Sequence, residues 1–294
     1  MLFLIALLSP FFYAASVVIE SFLSLAVFKR PIVMLFFVSL TNALFTPLVL
    51  LFGTPSIPSA EAFYIYIIIA FIDIAYLYPY YVALKKTDTS IISSLFALGN
   101  IFVPVLSFIL LSEVLALHQY IGFSIIILAS VILNKKRQIK FCINKAFYLM
   151  VLSTFLLASK ICLAKYVLNL DHNVANVLIY PNLLSGLIPW LFLFSSHNKK
   201  DIKKKFKIYH RQFKFFVIIE LLTFGAVATS MIALDKLSPT VSAAIGALEP
   251  LFVLGIITLI QPYSNFHFKD HGISLKKTIC FLCIIIGVVM TCTK

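Results

Sequence analysis

Charge is what this sequence lacks. Only 12% of its 294 residues are Asp, Glu, Lys or Arg, against about 25% in a soluble globular domain. Acids are the scarcer sign, 11 against 24 Lys and Arg. No polar block is long enough to form a separate soluble domain. The G-x-x-x-x-G-K-[ST] phosphate loop is missing, which argues against ATP-driven pumping within this chain. Also missing are G-x-S-x-G and H-E-x-x-H, the signatures of the hydrolase serine elbow and the zinc-protease helix. Five cysteines (Cys142, Cys162, Cys280, Cys283, Cys292) are present, but no second Cys or His pair completes a zinc site. They read as packing residues. His267, Asp270 and His271 carry H-x-x-x-H spacing without a firm third ligand. No metal or cofactor is expected.

Apolar sequence fills the space that charge leaves. The chain is 62% hydrophobic, with mean hydropathy +1.05. Ten apolar runs approach the ~20 residues that cross a bilayer as a helix. They are 2–28, 32–52, 62–84, 90–111 and 114–133, then 146–168, 174–194, 213–234, 240–260 and 275–293. Their continuity, without strand-like alternation, predicts helices rather than a barrel. Residues 1–16 imitate a secretory leader, with Ala14-Ala15-Ser16 near the end. They lack its positive amino-terminal region and the run continues to Phe28, so it is expected to remain as the first span.

The chain also repeats itself. Ala83, Leu84, Lys86, Ala97, Leu98, Phe102 and Val103 recur 150 residues later as Ala233, Leu234, Lys236, Ala247, Leu248, Phe252 and Val253. A second echo links Ile121, Phe123, Ile126, Ile127 and Val131 to Ile279, Phe281, Ile284, Ile285 and Val289 at an offset of 158. The expected organisation is a first repeat over 1–134, a basic linker over 135–145 and a second repeat over 146–294. Five spans per repeat is an odd number, so the second copy must cross inverted. The fold class expected is an all-α integral membrane protein of ten transmembrane helices in two inverted five-helix repeats, an arrangement that in transporters places the site at the repeat interface.

A net charge of +13 would suggest nucleic acid in a soluble protein. Here 20 of the 24 basic residues fall in the odd-numbered loops, so they read as topology signals. No nucleic-acid partner is expected. The seventh loop, His197–Lys214, is the richest. The bias predicts odd loops in the cytoplasm and both termini outside, in a bacterial-type inner membrane. The Lys-rich seventh loop reads as a topology anchor or as a contact for anionic lipid heads.

The run Ala83-Leu84 … Ser93-Ser94 … Pro104 … Ser112-Glu113 … Gly122 resembles the closing half of an EamA repeat. Ala233-Leu234 … Ser242-Ala243-Ala244 … Leu248-Glu249-Pro250 … Gly287 resembles it again. EamA repeats belong to the drug/metabolite transporter superfamily. The resemblance implies ten helices, a pseudo-two-fold axis in the membrane plane, a central cavity, and export or uptake of amino acids, nucleotide-like metabolites or drugs. Three departures stand out. The resemblance implies cytoplasmic termini, which the charge bias contradicts. Glu113 has no counterpart after the ninth span, where residues 261–274 are inserted. The first helix carries Glu20 where relatives often have Lys, and Lys165 fills the comparable place in the sixth.

Ionisable groups at membrane depth are costly and mark pathways or relays. In the first span Ser9, Tyr13, Ser16, Glu20 and Ser24 share one helical face. In the third, Asp73, Tyr76 and Tyr80 do the same; in the eighth, Glu220, Thr223 and Ser230. The fourth carries Ser93, Ala97, Asn100 and Ser107; the ninth Ser242, Gly246 and Glu249; the second Ser39, Asn42 and Thr46. The fourth and ninth stripes read as close packing or as cavity wall. Glu249-Pro250 reads as a helix cap or kink, or as a substrate contact. Glu220 has two readings, cavity residue or interfacial partner of Lys214. Lys160 is the one central base, and a candidate partner for a buried acid. Candidate substrate-binding residues are Tyr13, Glu20, Asp73, Tyr76, Tyr80, Asn100, Lys160, Glu220 and Glu249. The surplus of acid suits a cationic or zwitterionic small-molecule substrate or proton coupling. The expected function is secondary transport by a monomer or homodimer surrounded by membrane lipids. The alternative is a membrane-embedded enzyme or a lipid-carrier flippase-type subunit.

Overall fold

The computed structural model describes residues 2–28, 30–86, 92, 95–96, 100–134, 145–260 and 275–293. Ser93, Ser94, Ala97, Leu98, Cys142, most of the basic linker and the insertion with His267, Asp270 and His271 lie outside them. Among the described residues all regular structure is helical. α1 (Leu2–Phe22) runs into a π-helical turn, Leu23–Val27. α2 (Pro31–Phe45) tightens into a 3-10 segment, Thr46–Phe52. α3 (Ala60–Leu84), α4 (Phe102–Leu111) and α5 (Leu117–Asn134) follow. The second half begins with α6 (Lys145–Asp171). α7 (Val174–Leu187) then tightens into a 3-10 segment, Ile188–Phe194. α8 (Ser196–Lys236), α9 (Pro239–Gly246), α10 (Glu249–Ile260) and α11 (Leu275–Cys292) complete the chain.

Among the described residues seven helical stretches are long and apolar enough to cross a membrane, and three apolar helices are shorter: Phe102–Leu111, Leu117–Ala129 and Thr278–Cys292. Local chemistry sets the helix starts. Pro31 opens α2, where a missing N–H costs nothing. Ser59 accepts from Ala62 N, Asn173 from Ala175 N and Asn176 N, and Ser238, just before Pro239, from Val241 N. Pro47 and Pro189 lie at the starts of the two 3-10 segments, at matching places in the second and seventh spans.

The two halves are laced together. α1 packs along α8 and α10, while α6 packs along α3 and α4. α2 meets α8 as α7 meets α3, and α5 pairs with α11. That last pair approaches backbone to backbone: a Cβ on Gly122 would stand 2.7 Å from the Gly287 oxygen, and one on Gly287 2.6 Å from the Gly122 oxygen.

The expected seventh loop is a correction. His197–Lys214 is not a loop but the first half of the 41-residue α8. Lysine is a good helix former. Ile202, Tyr209 and Phe216, spaced by seven, are buried against the first two spans. Tyr209 stacks on Phe37 at 4.5 Å, and its hydroxyl meets that of Thr41 at 2.9 Å. Arg30 pairs with Asp201, and Lys205 Nζ donates to Val27 O. The first loop and the start of α8 therefore share one end of the bundle. At the other end Ser56 bonds to Asn173, Asn176 and Tyr180.

Candidate functional site

A cavity of about 200 Å³ sits between the halves, with room for about seven waters at ~30 Å³ each. All nine sequence-predicted residues line it: Tyr13 and Glu20 on α1, Asp73, Tyr76 and Tyr80 on α3, Asn100 before α4, Lys160 on α6, Glu220 on α8 and Glu249 at the start of α10. Lining also comes from Ser39 and Asn42 on α2, from Asn182 on α7 and from Ser242 and Gly246 on α9. The wall thus also draws on the second, fourth, seventh and ninth spans.

Helical spacing explains most of this convergence. Ser9, Tyr13, Ser16 and Glu20 keep the 3–4 residue rhythm of α1 and all face the cavity. Ser24, next in that rhythm, is buried elsewhere, because the π turn widens the winding there. Thr46 likewise leaves the face of α2 where the 3-10 segment tightens it.

The acids are held in different ways. Asp73 and Lys160 form an ion pair of 2.5 Å across the two halves, with side chains 13% and 15% exposed. Lys160 is thus the partner of a buried acid. Glu20 accepts a hydrogen bond of 3.0 Å from the Tyr80 hydroxyl. Glu220 is buried in the wall, not paired with Lys214, whose ammonium sits over the Phe215 ring. Glu249 begins α10 just after the turn at Ala247 and Leu248, with Pro250 behind it. That turn breaks the ninth span beside the cavity, where irregular backbone at membrane depth is tolerated. The fourth span has its turn at Asn100 and Ile101. Asn100 Nδ2 donates to Ala243 O at 3.0 Å, joining the two broken spans.

Ser107, expected on the cavity stripe, instead donates to Glu113. Ser112 takes a left-handed conformation, φ 53°, which turns the chain so that Glu113 N reaches Ser107 O. Thr240 at the start of the ninth span also donates to the Glu113 carboxylate, at 3.2 Å. Lys165 donates to Leu234 O and Asp235 O, capping the end of α8. Neither residue lines the central cavity. Among the described residues no cluster of three His, Cys, Asp or Glu is arranged for a metal ion.

Residues 1–135 match the EamA-like transporter family. That match spans a little under half of the chain, so the first half is similar to EamA-like transporters. The seven long apolar helices among the described residues agree with a multi-pass membrane protein of that kind. No curated protein matches the chain in sequence. One protein crystal structure superposes on it with a TM-score of 0.67 at 12% identity, covering 97% of this chain and 96% of the other. At that identity the likeness shows the fold alone.

Sequence reasoning missed Asn182. It is an amide in an apolar span with a single polar neighbour at helical spacing, Ser185, too short a pattern to mark a face. Its position after Pro181, inside α7, was the available signal: a proline in a span frees backbone groups that polar surroundings must satisfy.

Proposed function

We propose that this protein is a secondary transporter of ten spans in two inverted repeats, carrying a small cationic or zwitterionic metabolite of the amino-acid type. The observation that carries the reading is the charge of the cavity. Four carboxylates, Glu20, Asp73, Glu220 and Glu249, share its wall with one ammonium, Lys160. Asp73 is already matched by Lys160, so the remaining negative charge favours a ligand that brings an amine. A carboxylate on the same ligand would find its counter-charge at Lys160, on the Asp73 side of the cavity. The tyrosines supply apolar walls with a polar tip.

Reciprocal packing supports the inverted repeat. The first span lies on the eighth and ninth as the sixth lies on the third and fourth, the pattern a two-fold axis in the membrane plane would impose. Rocking one bundle on the other would open the cavity to alternate sides. The positive charge at the end holding Arg30 and the start of α8 supports a cytoplasmic position for that end. A cysteine at exposed position 204 would then resist impermeant reagents in intact cells. Its labelling would reverse the orientation. A proton is the candidate coupling ion, through Glu20 or Glu220.

The test of substrate class is a thermal-shift screen of purified protein against cationic, zwitterionic and anionic amino acids and amines, followed by uptake of the hits into proteoliposomes. Stabilisation and uptake confined to amine-bearing solutes are expected. Stabilisation by anionic solutes alone would overturn the reading.

A further inference from the structure

Transport through the cavity uses only the second half of α8. The whole helix has 41 residues, about 61 Å at 1.5 Å per residue, roughly twice the ~30 Å hydrocarbon core. Its first half is a docked amphipathic segment. Lys200, Lys203, Lys204, Lys207, Arg211 and Lys214 are all exposed. At ~100° per residue they fall within a sector of about 100°. The opposite face holds Ile202, Tyr209 and Phe216, buried on the first two spans. The one acid in this half, Asp201, is paired with Arg30. Among the described residues none of the six cations has a salt bridge. Beside them Phe206 is 52% exposed, and at the end of the preceding span Trp190 and Phe194 are 51% and 86% exposed. Large apolar side chains open to the surroundings next to a lysine row are the composition of a helix lying at a membrane interface.

We propose that this stripe is a docking surface for the phosphate headgroups of anionic phospholipids in the leaflet at that end of the protein. The partner is set by charge complementarity and by the flanking aromatic side chains, which suit a headgroup–acyl boundary rather than a soluble polyanion. The packing of Tyr209 on Phe37 holds the helix that carries the six cations before any lipid arrives, so little backbone order is lost on binding. The stripe also has a route to the site. Glu220 follows Lys214 by less than two turns on the same unbroken helix, and it lines the cavity. Headgroups that hold the first half of α8 thereby hold one wall of the cavity.

The test uses the full chain purified in neutral detergent. Phosphatidylglycerol and phosphatidylcholine are titrated separately while the unfolding temperature is followed. Phosphatidylglycerol is expected to raise it and phosphatidylcholine not, with the rise shrinking as salt screens the contacts. Replacing all six cations by Gln should abolish the response. Replacing the five lysines by Arg should keep it. If the sixfold variant fails to insert, Lys204→Gln/Lys207→Gln/Arg211→Gln leaves enough positive charge for topology and should weaken apparent phosphatidylglycerol affinity on the order of a hundredfold. The proposal is overturned by equal responses to the two lipids, by a full phosphatidylglycerol response in the Gln variants, or by equal stabilisation from soluble tripolyphosphate.

Discussion

Removing Lys160 while keeping Asp73 tests how the two halves are held at the cavity. The pair spans α3 and α6 at 2.5 Å, with both side chains mostly shielded. In Lys160→Met the Asp73 carboxylate loses its only salt-bridge partner among the described residues, in a wall otherwise rich in acid. Breaking a buried pair from one side costs about 3–5 kcal/mol, because the remaining charge is uncompensated. The cavity lets water reach both groups, so the lower end, about 3 kcal/mol, is expected. At about 2–4 °C per kcal/mol the apparent unfolding temperature should fall by roughly 6–12 °C. The double variant Asp73→Leu/Lys160→Met removes both charges and should recover most of that loss. A cycle of the four proteins in one detergent, followed by thermal unfolding, gives a coupling of about 2–3 kcal/mol. Losses in the two single variants that simply add in the double variant would refute the pair as a structural link.

Three further outcomes follow from particular contacts. Gly122→Val puts a side chain where the Gly287 oxygen and the Met290 Cβ stand at 2.7 Å; it should cost about 1–3 kcal/mol by overpacking, read as a lower unfolding temperature, and an unchanged temperature would dismiss the α5–α11 approach. Lys85, just beyond the third span, has its amine pushed down to about 8, by burial first and by Arg30 second, and its Nζ has no hydrogen-bond partner among the described residues. Because the folded value lies below the unfolded one, the unfolded chain binds more protons between about pH 8 and 10.5, and stability should rise with pH across that window; Lys85→Met should be more stable at pH 7 and lose that rise, and a less stable variant would contradict this. Glu113→Ala strands the Ser107 and Thr240 hydroxyls and should cost about 1–3 kcal/mol; full stability in that variant would mean the contact between the halves is incidental.

Much of the site was legible because polar residues in a greasy chain are conspicuous. Glu20, Asp73, Lys160 and Glu220 stand out against apolar neighbours, and helical spacing assigns their faces. Spacing arguments failed where the winding changes: Ser24 falls on the π turn and Thr46 on a 3-10 segment, and neither departure is written in residue type alone. Ser107 failed differently. It has the right spacing for the cavity stripe, but Glu113, six residues later in sequence, is folded back onto it by the left-handed turn at Ser112. The first half of α8 was hidden by its own charge. Averaged hydropathy there registers lysines and passes over the seven-residue rhythm of Ile202, Tyr209 and Phe216, which becomes decisive once Phe37 and Thr41 supply a surface to dock on.

The central claim, that the acid-rich cavity carries the solute, is tested most directly by uptake into proteoliposomes with Glu20→Gln. The change keeps the side-chain shape, allows the Tyr80 contact to persist, and removes one negative charge. With an amine-bearing solute identified by thermal shift, uptake should fall roughly tenfold or more, the loss expected when a charged hydrogen-bond partner of the ligand is removed, while the protein stays in the membrane at normal level. Normal uptake by both Glu20→Gln and Asp73→Asn across pH 5–8 would contradict the account.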